Sequence, residues 1–159
     1  MDSLPSVAFL PLVKPTEPLP LTVCIREFRI ADFGGALAVW RMVDGVEVAE
    51  GDSEEEVTEY LLRNPGLSRV AERGNTIIGA ALCGHDGRRG LIYHLAVAPE
   101  YQAKGIGQRL LQECVSGLRN AGLTRALILV SGENATGRSF WLRNSWEDIP
   151  GAILMGLDL

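Results

Sequence analysis

Leu95-Ala96-Val97-Ala98-Pro99-Glu100-Tyr101-Gln102-Ala103-Lys104-Gly105-Ile106-Gly107 is the segment on which the reading of this 159-residue chain turns. An apolar strand ends at Val97, a short loop turns at Pro99, and a long helix begins near Gly105. Backbone N–H groups at a helix start have no partner within the helix. They also lie at the positive end of the helix dipole. Together they form an anion site that needs no particular side chain. Gly105 and Gly107 lack a Cβ, so a diphosphate can approach the backbone closely. Lys104 either adds a positive charge or points to solvent.

A Gly-x-Gly at a helix start is common and is also consistent with a tight turn alone. Two better-known phosphate motifs do not fit. The Gly-Lys-Ser/Thr of the Walker pattern is absent. The dinucleotide fingerprint needs a third glycine within a parallel unit, but Leu110 stands three residues after Gly107 and the preceding strand follows a hairpin.

Outward from this segment the elements alternate. Residues 105–121 carry Ile106, Leu110, Leu111, Cys114, Val115 and Leu118 at helical spacing, with Gly122 as the stop. Residues 126–130 read as a buried strand. Residues 134–143 read as a short helix capped by Asn134, and residues 152–159 as a final strand. Upstream, residues 91–97, 76–84 and 68–73 form an antiparallel meander, with turn signals at Asp86-Gly87-Arg88-Arg89-Gly90 and Gly74-Asn75. Ser53-Glu54-Glu55-Glu56 is a capping box that starts a helix, and Asn64-Pro65-Gly66 ends it. Asp32 stands as the N-cap of an earlier helix, and residues 22–29 alternate as a strand. The helix between residues 105 and 122 makes one parallel crossover inside a mixed sheet.

Residues 1–20 carry Pro5, Pro11, Pro15, Pro18 and Pro20, which rule out a helix and discourage a central strand. They read as a proline-rich arm before a single domain, residues 21–159. The net charge of −5 argues against nucleic acid as a partner. Cys24, Cys83 and Cys114 are odd in number and form no Cys-x-x-Cys pair. That fits buried thiols in a reducing compartment, with no disulfide framework and, given only His85 and His94 besides, no metal site. No apolar run reaches the ~20 residues of a membrane helix, and no signal peptide opens the chain. A cytoplasmic protein with no membrane partner is the expectation.

The stretch from Leu95 to Leu111 resembles the central motif of the GNAT superfamily of N-acyltransferases, Gln/Arg-x-x-Gly-x-Gly/Ala, filled here by Gln102, Gly105 and Gly107. The element order resembles that fold over residues 22–159. The resemblance implies an α/β (α+β) domain with a mixed, mostly antiparallel sheet flanked by helices and two central parallel strands that splay apart. It implies acetyl-CoA as cosubstrate, with no metal. The pantetheine arm would pair with the strand backbone at Leu95, Ala96 and Val97. The N–H groups of Gln102, Ala103, Lys104, Gly105, Ile106, Gly107 and Gln108 would hold the pyrophosphate. Asn134 matches an asparagine that contacts the pantetheine region, a role compatible with a plain N-cap. The implied acceptor is a primary amine of a small molecule or a protein. A homodimer follows by analogy.

The implied reaction is direct attack of the amine on the thioester, with strand N–H groups near Val97 stabilising the oxyanion and a base or water chain taking the amine proton. The family's tyrosine, which protonates the thiolate, is matched by Trp141, an indole that is no practical acid. Phe140, Trp141 and Trp146 read as core or cofactor-wall residues. Strand alternation puts Leu91, Tyr93 and Leu95 on one face and Ile92, His94 and Ala96 on the other. Leu91 stands where the family often has a glutamate base. Tyr93, in phase with it, is the catalytic candidate. The resemblance also allows a histidine base on this strand, and imidazole has a pKa suited to the task, but His94 is out of phase and a lone strand histidine is more often structural. Glu54, Glu55 and Glu56 read chiefly as acids at a helix start. The missing tyrosine and glutamate leave a second reading, a non-catalytic acyl-CoA-binding or sensor module.

Overall fold

The computed structural model describes residues 22–159, so the proline-rich stretch at 1–20 lies outside the described residues. The elements are β1 (Val23–Glu27), α1 (Phe33–Met42), α2 (Glu54–Arg63), β2 (Arg69–Arg73), β3 (Thr76–His85), β4 (Gly90–Val97), α3 (Ile106–Asn120), β5 (Ala126–Ile128) and α4 (Ala135–Arg143). The strands form a five-stranded sheet in sequence order. β1 to β4 pair antiparallel. β5 pairs parallel to β4, because α3 carries the chain across the sheet before it returns.

Each face of the sheet is covered by a different layer. On one face α1 buries Phe33, Ala36, Val39 and Trp40, and α2 adds Val57, against Val70, Ala80, Leu82 and Ala96. On the other, α3 buries Leu111, Cys114 and Leu118 against Ala81, Cys83 and Ile92, and Ile106 and Leu110 against Ala71, Ile78 and Val97. The two-residue strand period is visible in β3, where Ala80 and Leu82 face α1 while Ala81 and Cys83 face α3. The helical period of α3 sorts its apolar residues onto one stripe. Cys83 and Cys114 are buried free thiols, whereas Cys24 is an exposed one.

Local signals held where the chain itself supplies both partners. The Ser53 hydroxyl accepts the Glu56 amide at 3.2 Å and Glu56 reaches back to the Ser53 amide at 3.2 Å, the reciprocal cap that starts α2. Asn134 accepts the Gly137 amide at 2.8 Å and caps α4. Asp32 does otherwise. A three-residue 3-10 turn, Ile30–Asp32, precedes α1, and Asp32 makes no side-chain cap. Its carboxylate accepts the Arg29 amide at 2.9 Å and both terminal nitrogens of Arg26 at 2.8 Å, while Arg26 also reaches Glu72 at 2.9 Å. This cluster ties β1 and β2 to the turn that launches α1.

The Arg26 guanidinium beside Asp32 holds that carboxyl below its ordinary value. A carboxyl lowered on folding adds stability above its unfolded value, about 3.9, and loses it as pH falls through the folded value. Asp32→Asn is therefore expected to cost about 1.5–3 kcal/mol at pH 7, the range for hydrogen bonds to charged groups. Urea unfolding at pH 7 and at pH 3 should show the gap between wild type and variant closing at the lower pH.

Two strand expectations at the C-terminal side are corrected. β5 ends at Ile128 rather than 130. Residues 152–159 form no strand, and Ile153, Leu154, Met155 and Leu157 are exposed. A strand exists by its ladder to a neighbour, and these residues make no backbone hydrogen bond among the described residues. Apolar character alone did not supply that neighbour.

Candidate active site

β4 and β5 pair only at Gly90–Ile92 against Ala126–Ile128. From Tyr93 to Val97 the side of β4 that faced β5 has no strand partner among the described residues, so the two parallel strands splay and leave a gap. A second irregularity lies in the same stretch. Ala80 pairs Ala96 and Leu82 pairs Tyr93, so Ala81 alone opposes both His94 and Leu95. This is a β-bulge, and His94 takes the left-handed conformation that closes it, with φ 50°.

The bulge rewrites the faces expected from alternation. Tyr93 packs among the α1–α2 residues, and its ring meets Tyr60 edge-on at 6.4 Å. His94 turns to that same side, with its ring 5.1 Å from the Trp40 ring. Leu95 packs toward α3 instead. The extra residue shifts the period by one, so Tyr93 and Leu95 part and His94 joins Tyr93.

The end of β4 leads into the anion loop. Gln102 donates its side-chain amide to the Val97 carbonyl at 2.8 Å, and its backbone amide goes to Pro99 O at 3.3 Å. It shapes the turn, and its backbone N–H is engaged. The amides of Ala103 through Gln108 have no hydrogen-bond acceptor among the described residues. Gly105 caps α3 in the left-handed conformation, φ 81°, with open space where a Cβ would stand. Six free donors at the positive end of a fifteen-residue helix match a diphosphate in charge and in hydrogen-bonding demand. The Lys104 ammonium lies 5.7 Å from the centre of the Tyr101 ring.

A cleft of about 1980 Å³ joins these parts. A Cβ on Gly107 would sit 3.5 Å from Phe140 and 3.7 Å from Val97, which places Gly107 on the floor of the gap between β4 and α4. Phe140, Trp141 and Trp146 stack edge-on, with ring centres 5.3 and 4.9 Å apart, and Phe140 and Trp141 wall the cleft. Trp141 offers no acid there.

The roof is the loop between α1 and α2, and it is seated at two points. Gly45 lies directly against the Asn134 side chain. Asp52 Oδ1 lies 2.7 Å from His94 Nε2, with both side chains largely buried. Asp52 is a site residue that sequence reasoning missed, since one acid in an irregular loop carries no periodic signal. Glu56 also borders the cleft, while Glu54 and Glu55 do not. The Tyr60 hydroxyl is buried without a hydrogen-bond partner among the described residues, and burial raises its pKa. No group of three or more metal-ligating side chains occurs among the described residues, and no helix among them is long and apolar enough to cross a membrane.

Comparison with known proteins agrees with this architecture. The family model described as Acetyltransferase (GNAT) family matches residues 35–145. An acetyltransferase of Sodalis glossinidius is 30% identical over 132 residues, covering 83% of this chain and 92% of the relative. An acetyltransferase of Photorhabdus laumondii is 31% identical over 110 residues, 69% of this chain and 76% of the relative. Among solved structures, the PaiA N-acetyltransferase of Thermoplasma acidophilum, in complex with coenzyme A, superposes with a TM-score of 0.68 at 23% identity, covering 78% of this chain and 89% of that one. The chain belongs to the GNAT family of acetyltransferases. It is an acyl-CoA-dependent acetyltransferase.

Proposed function

We propose that this acetyltransferase moves the acetyl group to a primary amine, of a small molecule or a protein, by direct attack within the cleft under the α1–α2 loop. The observation that carries the reading is the row of unpaired amides from Ala103 to Gln108 at the foot of the gap between β4 and β5. Those amides would hold the pyrophosphate. Leu95, Ala96 and Val97 present the strand edge along which the pantetheine arm would pair its amides. Asn134, beside Gly45, would border that arm while capping α4.

Chemically, the amine nitrogen must be neutral before it attacks the thioester carbon. A C–N bond forms, the carbonyl oxygen takes negative charge, and strand N–H groups near Val97 stabilise it. The C–S bond then breaks. The proton still on nitrogen passes to the thiolate through water, because Trp141 has no acidic proton to give. Tyr93 stands on the same face as the cleft and packs on Tyr60. In this reading it lines the acceptor end of the cleft.

The test is release of free coenzyme A from acetyl-CoA across a broad panel of small amines and amino-terminal peptides. Amine-dependent thiol release is the expected result. Tight acetyl-CoA binding by calorimetry, with no release on any amine, would favour a non-catalytic binding module instead.

A further inference from the structure

His94 occupies the most constrained position on β4. A non-glycine residue at φ 50° costs of order 1–3 kcal/mol unless its surroundings fix it. Two contacts fix it here. The Trp40 ring supports one side of the imidazole, and Asp52 holds Nε2 at 2.7 Å. A carboxylate only accepts hydrogen bonds, so Nε2 carries a hydrogen, and in the neutral tautomer that fits this contact Nδ1 has the lone pair. Nδ1 has no hydrogen-bond partner among the described residues, and the ring borders the cleft.

We infer that His94 and Asp52 form a dyad in which His94 Nδ1 takes the proton from the acceptor ammonium and Asp52 fixes the ring for that task. The inference rests on the acetyl-transfer reading above. An arm that starts at the Ala103–Gln108 amides and runs back along Val97, Ala96 and Leu95 spans roughly 10 Å of strand. Its thioester end then reaches the bulge, beside His94. The ammonium gives one proton to Nδ1, leaving a neutral amine and an imidazolium whose Nε2–H faces the Asp52 carboxylate. The amine attacks, coenzyme A leaves as described, and the imidazolium returns its proton to solvent. Asp52 comes from the roof loop and His94 from the sheet. The dyad is therefore complete only when that loop is seated over the cleft, which ties proton acceptance to closure around the acceptor. Asp52 is the positioning residue in this account. The titratable groups that share the cleft with His94 are Asp44, Glu47, Glu50 and Asp52 of the loop, Glu56, Glu59, Tyr60 and Arg63 of α2, Tyr93 of β4, Tyr101 of the anion loop and Arg143 of α4.

Two measurements test this, one of them independent of turnover. Long-range ¹H–¹⁵N NMR of the histidine rings should show His94 in the Nε2–H tautomer in the wild type, and that signature should weaken in Asp52→Asn. An Nδ1–H tautomer in the wild type would overturn the dyad, whatever the activity. In kinetics, His94→Gln should lower kcat/KM for the amine at pH 7 by about 100- to 10,000-fold, the range for a positioned general base, with the KM for acetyl-CoA unchanged. The loss should shrink at higher pH, where solution supplies the neutral amine. Asp52→Asn should lose less than His94→Gln with the same pH trend, and Asp52→Glu should recover part of it. A loss that is equal at every pH, or that travels with the acetyl-CoA KM, would show a structural role only and overturn the inference. A wild type that binds acetyl-CoA but transfers to no amine would sink the acetyl-transfer reading and this inference with it. An active wild type with the wrong tautomer would sink this inference alone.

Discussion

Gly107→Leu is expected to raise the KM for acetyl-CoA about 10- to 100-fold while leaving the fold intact. Gly107 sits in the first turn of α3, and a Cβ there meets Phe140 and Val97 at ordinary contact distance. Alanine therefore fits, and Gly107→Ala should stay within about threefold of wild type. Leucine adds three more carbons, and the free direction is the gap between β4 and α4. Forcing extra methylenes into a filled site costs typically 1–3 kcal/mol, and each 1.4 kcal/mol is a factor of ten in binding. Folding should not suffer, because leucine is the better helix former by several tenths of a kcal/mol. The measurements are acetyl-CoA calorimetry and thermal melting on both variants. A leucine variant with wild-type affinity would mean that the donor does not pass between Val97 and Phe140.

The largest stability effect should come from Trp40. Its side chain is wholly buried in the layer between α1 and the sheet, with Phe28 and His94 against its ring. Trp40→Ala should cost about 3–5 kcal/mol in urea unfolding, the range for deleting a large buried aromatic. The indole Nε1 has no hydrogen-bond partner among the described residues, so replacing it forfeits no bond seen there. Trp40→Phe should accordingly cost only the lost volume, about 1–2 kcal/mol. Equal losses for the two variants would show that the loss comes from the indole N–H rather than from burial of an aromatic ring. Because Trp40 supports the His94 ring, Trp40→Phe also separates stability from function. It should keep acetyl-CoA affinity while slowing transfer.

The parts of this fold that were legible in the sequence are those whose partners lie within one turn of chain. Ser53 and Glu56 name each other across three residues, and Asn134 finds the Gly137 amide at the same spacing. α3 was legible because its apolar residues repeat at helical spacing for four turns behind a pair of glycines. The anion loop was legible for the same reason, since its donors are backbone groups that exist at any helix start. Contacts across long separations were not. His94 and Asp52 are 42 residues apart, and nothing in a loop without period announces which acid will reach the sheet. The face of His94 was misassigned because alternation presumes an unbroken strand, and one bulged residue inverts everything beyond it. Asp32 looked like a cap because its type and place suited one. The guanidinium of Arg26, supplied by β1, was the stronger partner. Residues 152–159 have the apolar character of a strand but no neighbour to pair with among the described residues.

The site divides along the same line. The proposed donor half rests on backbone amides and glycines, which a sequence displays directly. The acceptor half depends on side chains brought together by the sheet and the α1–α2 loop. Leu91 and Trp141 carry neither a base nor an acid there, and the proposed base, His94, joins Asp52 only through the folded structure.

The most direct test of the account is a crystal structure with acetyl-CoA bound. The pyrophosphate oxygens should lie within hydrogen-bond distance of amides between Ala103 and Gln108, the pantetheine arm should run along Leu95 to Val97 past Phe140, and the thioester should end beside the bulge at His94. Acetyl-CoA bound with its pyrophosphate elsewhere, or with its thioester pointing away from the roofed cleft, would contradict it.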